Sequence, residues 1–331
     1  MGPIPLSFDI TDALPAAISQ GQRLAIAAWL FFPDAPARLG PRPVTMTLLA
    51  GGSYDKRYHH AVVPGHTGYS AAEHLAGLGN IVLLADHLGV GESSRVPAQK
   101  LATRRICAQA MHAAVTQFHQ RLAHGDLHPA LPAQAAVAKV GGGHSMGAMM
   151  TVTQQAAHRT YDAILFMGYT AQSVHFYHGT TRVRAGDYLP PEPYVDYSTN
   201  DRASQRYNFY WDDVPQDIIA FDDTLAVATP TAIGLDSIRV GIIESDAARI
   251  DVPVFFGNGE RDVAPDPHAE AGFFPLCTDF TMFLLPRSAH CQTFAGTRRQ
   301  FWNRMHDWSR SVLPQRAPHR DPIDDNRGKH Q

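Results

Sequence analysis

Short apolar segments recur along the chain, and most of them end in glycine-rich or polar turns. Five lie in the first half, at residues 23–32, 44–50, 80–85, 135–140 and 161–169, and two more follow at 252–256 and 280–285. Runs of this length that are apolar without strict alternation are typical of strands buried on both faces of a parallel sheet. The pattern therefore predicts seven strands of one buried sheet.

Helical patterns lie between several of these segments. One helix face is predicted by the spacing of six apolar residues: Leu101, Ala108, Met111, Val115, Phe118 and Leu122. A final helix is predicted at residues 293–312. Strands that alternate with helices indicate an α/β fold, in which a mostly parallel central sheet has helices on both faces. Such sheets bind ligands at the carboxyl ends of their strands, so we searched the turns that follow the strands.

The alternation of strands and helices stops between residues 174 and 235. This stretch is rich in aromatic residues, among them Phe176, Tyr177 and Trp211, and it also contains prolines and acidic residues. We expect an insertion that lies over the site as a lid, whose aromatics either form a small core of their own or line an apolar pocket. The predicted organisation is a core domain at 1–173 and 236–314, a lid at 174–235 and a disordered tail at 315–331.

The turn after the fourth predicted strand carries a serine between glycines, in the Gly-His-Ser-Met-Gly sequence of residues 143–147. A sharp strand-to-helix turn lifts a serine hydroxyl clear of the sheet and directs backbone N–H groups at the reacting centre. Two other interpretations compete with a nucleophilic Ser145. The glycines could only let a helix pack close to the sheet, or they could open a dinucleotide-binding turn with Asp162 on a ribose. The third glycine comes one place late for the dinucleotide turn, which disfavours it.

A serine nucleophile needs a neighbouring base that is itself oriented by an acid. Asp262 follows the sixth predicted strand and His290 follows the seventh, so both are expected at the same edge of the sheet as Ser145. Taken separately, Asp262 is an ordinary turn former and His290 an ordinary loop residue. Together with Ser145, in the order Ser, Asp, His, they form a predicted catalytic triad.

Composition and charge argue against several other classes of function. The net charge is −3 with both signs interspersed, which gives no electrostatic footprint for nucleic acid or for an anionic membrane. No apolar run approaches the roughly 18 residues of a membrane helix, and the N-terminus has no signal-peptide pattern. Three dispersed cysteines fit a reducing, cytoplasmic location better than a disulfide framework.

Cysteine and histidine residues offer two further alternatives. Cys291 adjoins His290 and is a possible nucleophile, but it lacks a turn like that at Ser145. The closest histidine pairs, at residues 175 and 178 and at 124 and 128, have no clear acidic or cysteine partner at ligand spacing. We therefore predict neither a metal site nor a cofactor.

These features resemble the α/β-hydrolase fold superfamily over residues 44–312. The resemblance rests on four motifs: Gly143-His144-Ser145-Met146-Gly147, Asp86-x-x-Gly89-x-Gly91-x-Ser93, Gly259-x-x-Asp262, and His290 after the last strand. It implies that Ser145 is the nucleophile and that His290 is the general base and then the general acid. Asp262 would orient His290, and the lack of a carboxylate at residues 170–172, the competing acid position, supports this choice.

The resemblance also implies an oxyanion hole made of backbone N–H groups. One donor is Met146, and the other comes from the turn at residues 51–53, where Gly52 is favoured and Ser53 is the alternative. Relatives usually carry His-Gly where this chain has Ala50-Gly51. A histidine that could brace the turn is therefore missing.

The predicted activity is hydrolysis of a carboxylic ester or lactone through an acyl-enzyme on Ser145. The expected partner is an apolar small-molecule substrate, ring-bearing or otherwise bulky, and the homo-oligomeric state is open. The substrate-binding candidates are Tyr54, His144, Phe176, Tyr177 and Trp211. Two alternatives on the same fold are a hydrolase or lyase acting on carbon–carbon bonds and a non-catalytic small-molecule receptor.

Overall fold

The computed structural model describes residues 2–35, 38–97, 99–179, 181–190 and 195–313, and the predicted tail at 315–331 lies outside these ranges. The strands in the described chain are β1 (Ile4–Asp9), β2 (Ala25–Phe31), β3 (Val44–Leu49), β4 (Ile81–Ala85), β5 (Ala138–His144), β6 (Ala163–Met167), β7 (His175–His178), β8 (Thr181–Arg184), β9 (Tyr197–Ser198), β10 (Thr229–Pro230), β11 (Val254–Gly259) and β12 (Phe280–Leu285). The helices are α1 (Ala16–Ser19), α2 (Ala71–Gly77), α3 (Arg104–His124), α4 (Met146–His158), α5 (Arg206–Phe209), α6 (Gln216–Asp223), α7 (Thr231–Asp236), α8 (Glu244–Ala247) and α9 (Arg298–Val312).

Eight of the strands form one sheet with the order β1-β2-β4-β3-β5-β6-β11-β12. Strand β2 is antiparallel to both β1 and β4, and the other neighbouring pairs are parallel. Parallel neighbours need crossover connections, which α2, α3 and α4 supply between β3 and β6. The predicted α/β architecture with a mostly parallel central sheet is confirmed.

Side chains of the sheet alternate between two apolar clusters, one on each face. In β4, Ile81 and Leu83 belong to the cluster that α3, α4 and α8 cover, whereas Val82 and Leu84 belong to the cluster that α2 and α9 cover. All four side chains are buried. Burial on both faces explains why these strands are continuous apolar runs in the sequence. Because β3, β5, β6 and β11 are parallel neighbours, the turns that follow them meet at one edge of the sheet.

The strand before the serine turn continues through the glycines that we predicted to form the turn. Strand β5 extends to His144, and Gly143 pairs with Leu49 of β3 and with Phe166 of β6. Glycine is a poor strand former, so the apolar pattern placed the end of this strand too early, at residue 140. The turn itself is therefore confined to Ser145, directly before α4.

Strand β1 and helix α2 are among the elements without a counterpart in the sequence prediction. Strand β1 is a half-exposed edge strand that contains Pro5, and both features weaken its strand signal. Helix α2 has seven residues, too few for a helical period to stand out. In addition, α9 begins at Arg298 and not at residue 293, because Gln292–Phe294 form a separate 3-10 helix.

The lid segment, residues 174–235, packs onto the core over a shared apolar cluster. It contains the two-stranded ribbons β7–β8 and β9–β10, helices α5 and α6, and α7 up to its last residue. Phe209, Tyr210 and Ile218 of the lid segment lie in one cluster with Tyr58 and Phe294 of the core. These lid aromatics therefore belong to a joint core and not to a core of the lid alone.

Candidate active site

Ser145 is the single residue between β5 and α4, and its backbone is strained. Its φ is 54° and its ψ is −119°, a conformation that residues other than glycine rarely adopt. Ser145 is partly exposed, although both of its neighbours in sequence are buried. Glycine is required two residues away on either side. A Cβ on Gly143 would lie 2.1 Å from the carbonyl carbon of Gly147, and one on Gly147 would lie 2.4 Å from a main-chain oxygen of β3.

His290 and Asp262 form a buried hydrogen-bonded pair in the loops after β12 and β11. Nδ1 of His290 donates to Oδ1 of Asp262 at 2.7 Å. Asp262 also accepts from the N–H groups of Gly259 and Val263, at 2.8 Å each, and from Nε2 of Gln292 at 2.7 Å. All four partners donate, so this position is built for a carboxylate. The arrangement leaves Nε2 of His290 without a partner among the described residues.

Ser145 and His290 line the same cavity, which has a volume of about 240 Å³. Its wall includes the turn at residues 51–54 and parts of the lid segment. The apolar lining residues include Val174, Phe176, Phe209, Leu235 and Ile238. The polar lining residues from the lid segment are Ser198, Asn200, Asp201, Ser204, Gln205 and Thr229. Sequence reasoning identified none of these polar residues, because they are ordinary loop residues without a local motif.

The backbone N–H groups of Gly52 and Met146, next to Ser145, have no acceptor among the described residues. The turn that contains Gly52 lies against the serine, since a Cβ on Gly51 would be 3.2 Å from Cβ of Ser145. Helix N-terminal N–H groups such as that of Met146 are suited to bind negative charge. This pair can therefore hold an oxyanion beside Ser145.

The N–H of Ser53, the predicted alternative donor, already has an acceptor. Its N–H donates to Oγ1 of Thr229 at 2.8 Å, and the acceptor belongs to the lid segment. A bond between residues so far apart in sequence leaves no local pattern, so the sequence alone could not distinguish Ser53 from Gly52. Among the candidates for the second donor, Gly52 remains.

Two buried histidines brace this turn in place of the missing one. Nε2 of His59 donates to the carbonyl oxygen of Leu49 at 3.1 Å, and Nε2 of His87 donates to that of Ala50 at 2.9 Å. Burial lowers the pKa of His59 to about 4 and also lowers the pKa of His87. Both rings are therefore neutral at pH 7, with the proton on the nitrogen that donates. His59 lies outside the four motifs, and His87 occupies an unspecified position of the Asp86 motif.

Three of the five predicted substrate-binding residues, Tyr54, His144 and Phe176, line the cavity. The polar ends of two of them are engaged elsewhere. The Tyr54 hydroxyl donates to Asp222, and Nε2 of His144 donates to the main-chain oxygen of His290, both at 2.7 Å. Phe176 contacts the ring of His290 edge-on, with 6.3 Å between the ring centroids. Phe176 thus contributes an apolar ring to the cavity wall.

The other two, Tyr177 and Trp211, are not among the described residues that line this cavity. Tyr177 borders a separate cavity of about 70 Å³ beside Asp262, and the guanidinium of Arg182 lies 5.7 Å from its ring centroid. Trp211 packs against Arg261, whose guanidinium carbon lies 4.8 Å from the ring centroid of Trp211. Their positions do not support contact with a substrate at Ser145.

The residues that the competing interpretations need lie away from this arrangement or are unreactive. The carboxylate of Asp162 accepts from the N–H of Lys139 at 2.9 Å, at the start of β5, whereas Ser145 follows the end of that strand. Asp162 therefore cannot hold a ribose at the serine turn. Cys291 is buried against the hydroxyl of Tyr54, and burial raises the pKa of its thiol well above the ordinary value.

The histidine pairs do not assemble a metal site. Among the residues that the structure describes, no group of three or more His, Cys, Asp or Glu side chains is placed to hold a metal ion. His175 bonds to the hydroxyl of Ser173, and His124 to the main-chain oxygen of Gln120. Within the same described ranges, no helix is both long enough and apolar enough to cross a membrane.

The Asp86 motif ties together the loops that follow β3 and β4. The carboxylate of Asp86 accepts from Nζ of buried Lys56 at 2.6 Å, and it also accepts from the N–H groups of Lys56 and Glu92. The hydroxyl of Ser93 donates to the main-chain oxygen of Asp86 and accepts from the N–H of Ala27. The motif thus has a structural role near the site and does not line the cavity.

Comparison with known proteins identifies the fold. No protein-family model and no curated protein matches the sequence. A soluble variant of the monoglyceride lipase from Saccharomyces cerevisiae has a TM-score of 0.63 at 13% identity, covering 91% of this chain and 95% of that one. A bromoperoxidase from Bacillus anthracis has a TM-score of 0.60 at 14% identity, covering 92% and 99%. A thermophilic esterase from Thermogutta terrifontis has a TM-score of 0.57 at 13% identity, covering 94% and 100%. The chain therefore has the α/β-hydrolase fold, as its motifs predict.

Proposed function

We propose that this protein is a serine hydrolase that cleaves a carboxylic ester or lactone of a small molecule through an acyl-enzyme on Ser145. The observation that carries the proposal is the arrangement around one cavity. It combines a serine in a strained turn, a histidine paired with a carboxylate, and two backbone N–H groups without acceptors. Together these groups supply the nucleophile, the base and the stabilisation of charge that acyl transfer requires.

In the acylation step, Nε2 of His290 takes the proton of Ser145 Oγ while this oxygen attacks the carbonyl carbon of the substrate. The carbonyl oxygen becomes an oxyanion, which the N–H groups of Gly52 and Met146 stabilise. The intermediate then collapses, because His290 returns its proton to the leaving alcohol oxygen and the ester bond breaks. Asp262 holds the ring in place and stabilises the imidazolium that forms.

In the deacylation step, water takes the place of the alcohol. His290 removes a proton from the water, whose oxygen attacks the acyl carbon, and the same N–H groups stabilise the second oxyanion. Collapse returns the proton to Oγ of Ser145 and releases a carboxylic acid. A lactone would follow the same steps and leave as a single hydroxy acid.

The cavity favours a substrate of modest size. Its volume of about 240 Å³ is below the roughly 300–1,000 Å³ of pockets for drug-sized ligands. Apolar side chains such as Val174, Leu235 and Ile238 suit a short acyl chain, while the lid segment adds hydroxyl, amide and carboxylate groups. This lining supports a small ester or lactone with both an apolar and a polar part, and not the bulky apolar substrate expected from the aromatic content of the lid.

The similar structures support ester hydrolysis in general terms. An esterase and a lipase share the fold, but a bromoperoxidase shares it as well. The fold alone therefore does not choose the reaction, and the proposal depends on the residues at the cavity.

Labelling with a fluorophosphonate probe tests whether Ser145 is reactive. We expect the native protein to be labelled at Ser145 and the Ser145→Ala variant to be unlabelled. Ser198→Ala is the matched control, since this serine lines the same cavity but lies outside the strained turn, with its hydroxyl bonded to Thr231. Equal labelling of the native protein and the Ser145→Ala variant, or no labelling of either, would contradict the proposal. In the latter case, tight retention of a small ligand would favour a receptor.

Turnover of p-nitrophenyl acetate, butyrate and octanoate and of five- and six-membered lactones then defines the substrate. We expect the shorter esters to be hydrolysed faster, because the cavity is small. Ser145→Ala should lower kcat at least about 10³-fold while the protein stays folded. Hydrolysis that persists in this variant would exclude the acyl-enzyme mechanism.

A further inference from the structure

The lid segment holds the turn that carries Gly52. The N–H of Ser53 donates to Oγ1 of Thr229 at 2.8 Å. The hydroxyl of Ser53 accepts from the N–H of Asn200 at 2.8 Å, and its carbonyl oxygen accepts from the N–H of Val227 at 3.1 Å. All three partners belong to the lid segment, and Ser53 is buried. The polar groups of Ser53 are thus satisfied by the lid and not by the core.

Ser53 needs outside support because of its backbone conformation. Its φ is 62°, in the left-handed region that is unfavourable for a residue with a Cβ. Such a conformation persists only where the surrounding contacts fix it. Within the turn, the N–H of Tyr54 donates to the carbonyl oxygen of Gly51 over a long distance of 3.3 Å. The bonds from the lid segment are shorter, and they meet at the strained residue itself.

The lid segment is attached to the site at two further places. Arg202 and Asp222 are buried in the lid segment and bond to the hydroxyl of Tyr54, at 2.9 Å and 2.7 Å. The N–H of His290 donates to the carbonyl oxygen of Asn208 at 3.0 Å. The lid segment therefore contacts both the turn at residues 51–53, here called the oxyanion turn, and the loop that carries His290. A movement of the lid segment away from the core would break all of these bonds together.

We propose that Thr229 is a positioning residue for the oxyanion hole and that the lid segment is a fixed part of the catalytic site. The inference rests on the proposed function of Ser145. By accepting the N–H of Ser53, Thr229 fixes the peptide groups of the turn, so that the N–H of Gly52 faces the oxyanion. It also removes the N–H of Ser53 from competition, which leaves Gly52 and Met146 as the two donors.

Without the hydroxyl of Thr229, the N–H of Ser53 would be buried and unpaired, and the turn would relax to satisfy it. Oxyanion donors act on the transition state more than on the bound substrate, so the loss should appear in kcat and not in KM. A substitution that keeps the shape of threonine but removes its hydroxyl isolates this effect.

The test compares Thr229→Val with Thr229→Ser on the most rapidly hydrolysed p-nitrophenyl ester. We expect Thr229→Val to lower kcat about tenfold or more with little change in KM, and Thr229→Ser to restore it. Thr231→Val is the matched control, because Thr231 is similarly buried and its hydroxyl bonds to Ser198 and not to Ser53. Thermal unfolding of each variant checks that it is folded at the assay temperature. An unchanged kcat in folded Thr229→Val would overturn the proposal.

Hydrogen exchange of the Ser53 amide tests the position of the turn by a measurement that does not depend on catalytic activity. The amide should be protected in the native protein and in Thr231→Val, and should exchange faster in Thr229→Val. Equal protection in Thr229→Val would contradict the role of Thr229 even if no ester were hydrolysed. Absence of hydrolysis and of fluorophosphonate labelling in the native protein would instead contradict the proposed function, so the two failures are distinguishable.

Discussion

The imidazole of His144 donates from Nε2 to the main-chain oxygen of His290 at 2.7 Å, so the residue before the candidate nucleophile holds the backbone of the candidate base. The ring of His144 is buried and stacks on Tyr58, with 4.8 Å between the ring centroids. Burial lowers the pKa of His144 well below its ordinary value, so the ring is neutral and keeps the Nε2 proton. This bond links the serine turn after β5 to the loop after β12.

Replacing His144 by Phe should lower kcat while leaving KM nearly unchanged. Phenylalanine keeps a ring against Tyr58 but cannot donate to the carbonyl oxygen of His290, which would keep only the N–H of Gln292 as a donor. If His290 is the base, a shift of its ring by a fraction of an ångström should lower kcat by about tenfold to a hundredfold. His119→Phe is the control, because it removes a histidine bond to Thr45, and neither of these residues lines the cavity. An equal kcat for His144→Phe and the native protein would show that this bond does not position the base.

Replacing Asp262 by Asn should lower kcat by about 10³–10⁴-fold. All four partners of this carboxylate are donors, so the amide group of Asn would face another donor, and His290 would lose its orientation. Steady-state kinetics over a pH range measures the effect. Glu270→Gln is the control, since Glu270 is another buried carboxylate.

The control also tests the competing acid position after β6. The carboxylate of Glu270 accepts from the hydroxyl of Thr170 and from the N–H of Ala171, so it occupies the place where the local sequence has no acid. Burial raises the pKa of Glu270 to about 7, so Gln resembles a form that is already populated at neutral pH. A larger loss of kcat in Glu270→Gln than in Asp262→Asn would transfer the role of the acid to Glu270.

The sequence predicted the buried part of the fold better than its edges. Strands with both faces buried are continuous apolar runs, so β3, β4 and β6 are recognisable from composition alone. Edge strand β1 is half exposed, so the hydrophobic pattern did not predict it. The glycines of β5 are poor strand formers, so the pattern placed the end of this strand too early. In each case the tertiary environment, not the local preference, determines the structure.

The candidate site also has one part that the sequence predicted and another part that it did not. Ser145, Asp262 and His290 were predictable because each follows a recognisable strand, and parallel strands bring their ends together. The braces at His59 and His87 and the contact from Thr229 were not predictable. They depend on bonds to main-chain atoms from distant segments, which place no constraint on nearby residues. Strand β10, which contains Thr229, has two residues, too few for any periodic pattern.

Stability should fall as the pH is lowered from about 6.5 towards 4. His59 has a pKa of about 4 in the folded protein and an ordinary value of 6.5, and burial lowers the pKa of His87 and His144 in the same direction. In this window the unfolded chain binds protons that the folded chain does not, so the free energy of unfolding decreases as the pH falls. Each such histidine contributes up to about 1.4 kcal/mol per pH unit.

Urea unfolding at pH 8, 7, 6 and 5 measures this dependence. His59→Gln should flatten the slope between pH 6 and 5, because one titrating group is removed, although the variant will be less stable at pH 8. The same substitution at the exposed His124 is the control. A slope that is the same in His59→Gln and in the native protein would show that His59 is not kept neutral by folding.

Replacing Gly147 by Ala should destabilise the fold and lower activity together, because the start of α4, directly after the serine turn, is in contact with the end of β3. A Cβ at Gly147 would lie 2.4 Å from the main-chain oxygen of Leu49 and 2.7 Å from that of Ala50. To relieve this overlap, α4 or the turn at residues 51–53 must move, at a cost of about 1–3 kcal/mol. Gly272→Ala is the control, since a Cβ there would meet nothing within 4 Å. Thermal unfolding and kcat are measured on both variants, and a Gly147→Ala protein with native stability and native kcat would contradict the close packing of the serine turn against the oxyanion turn.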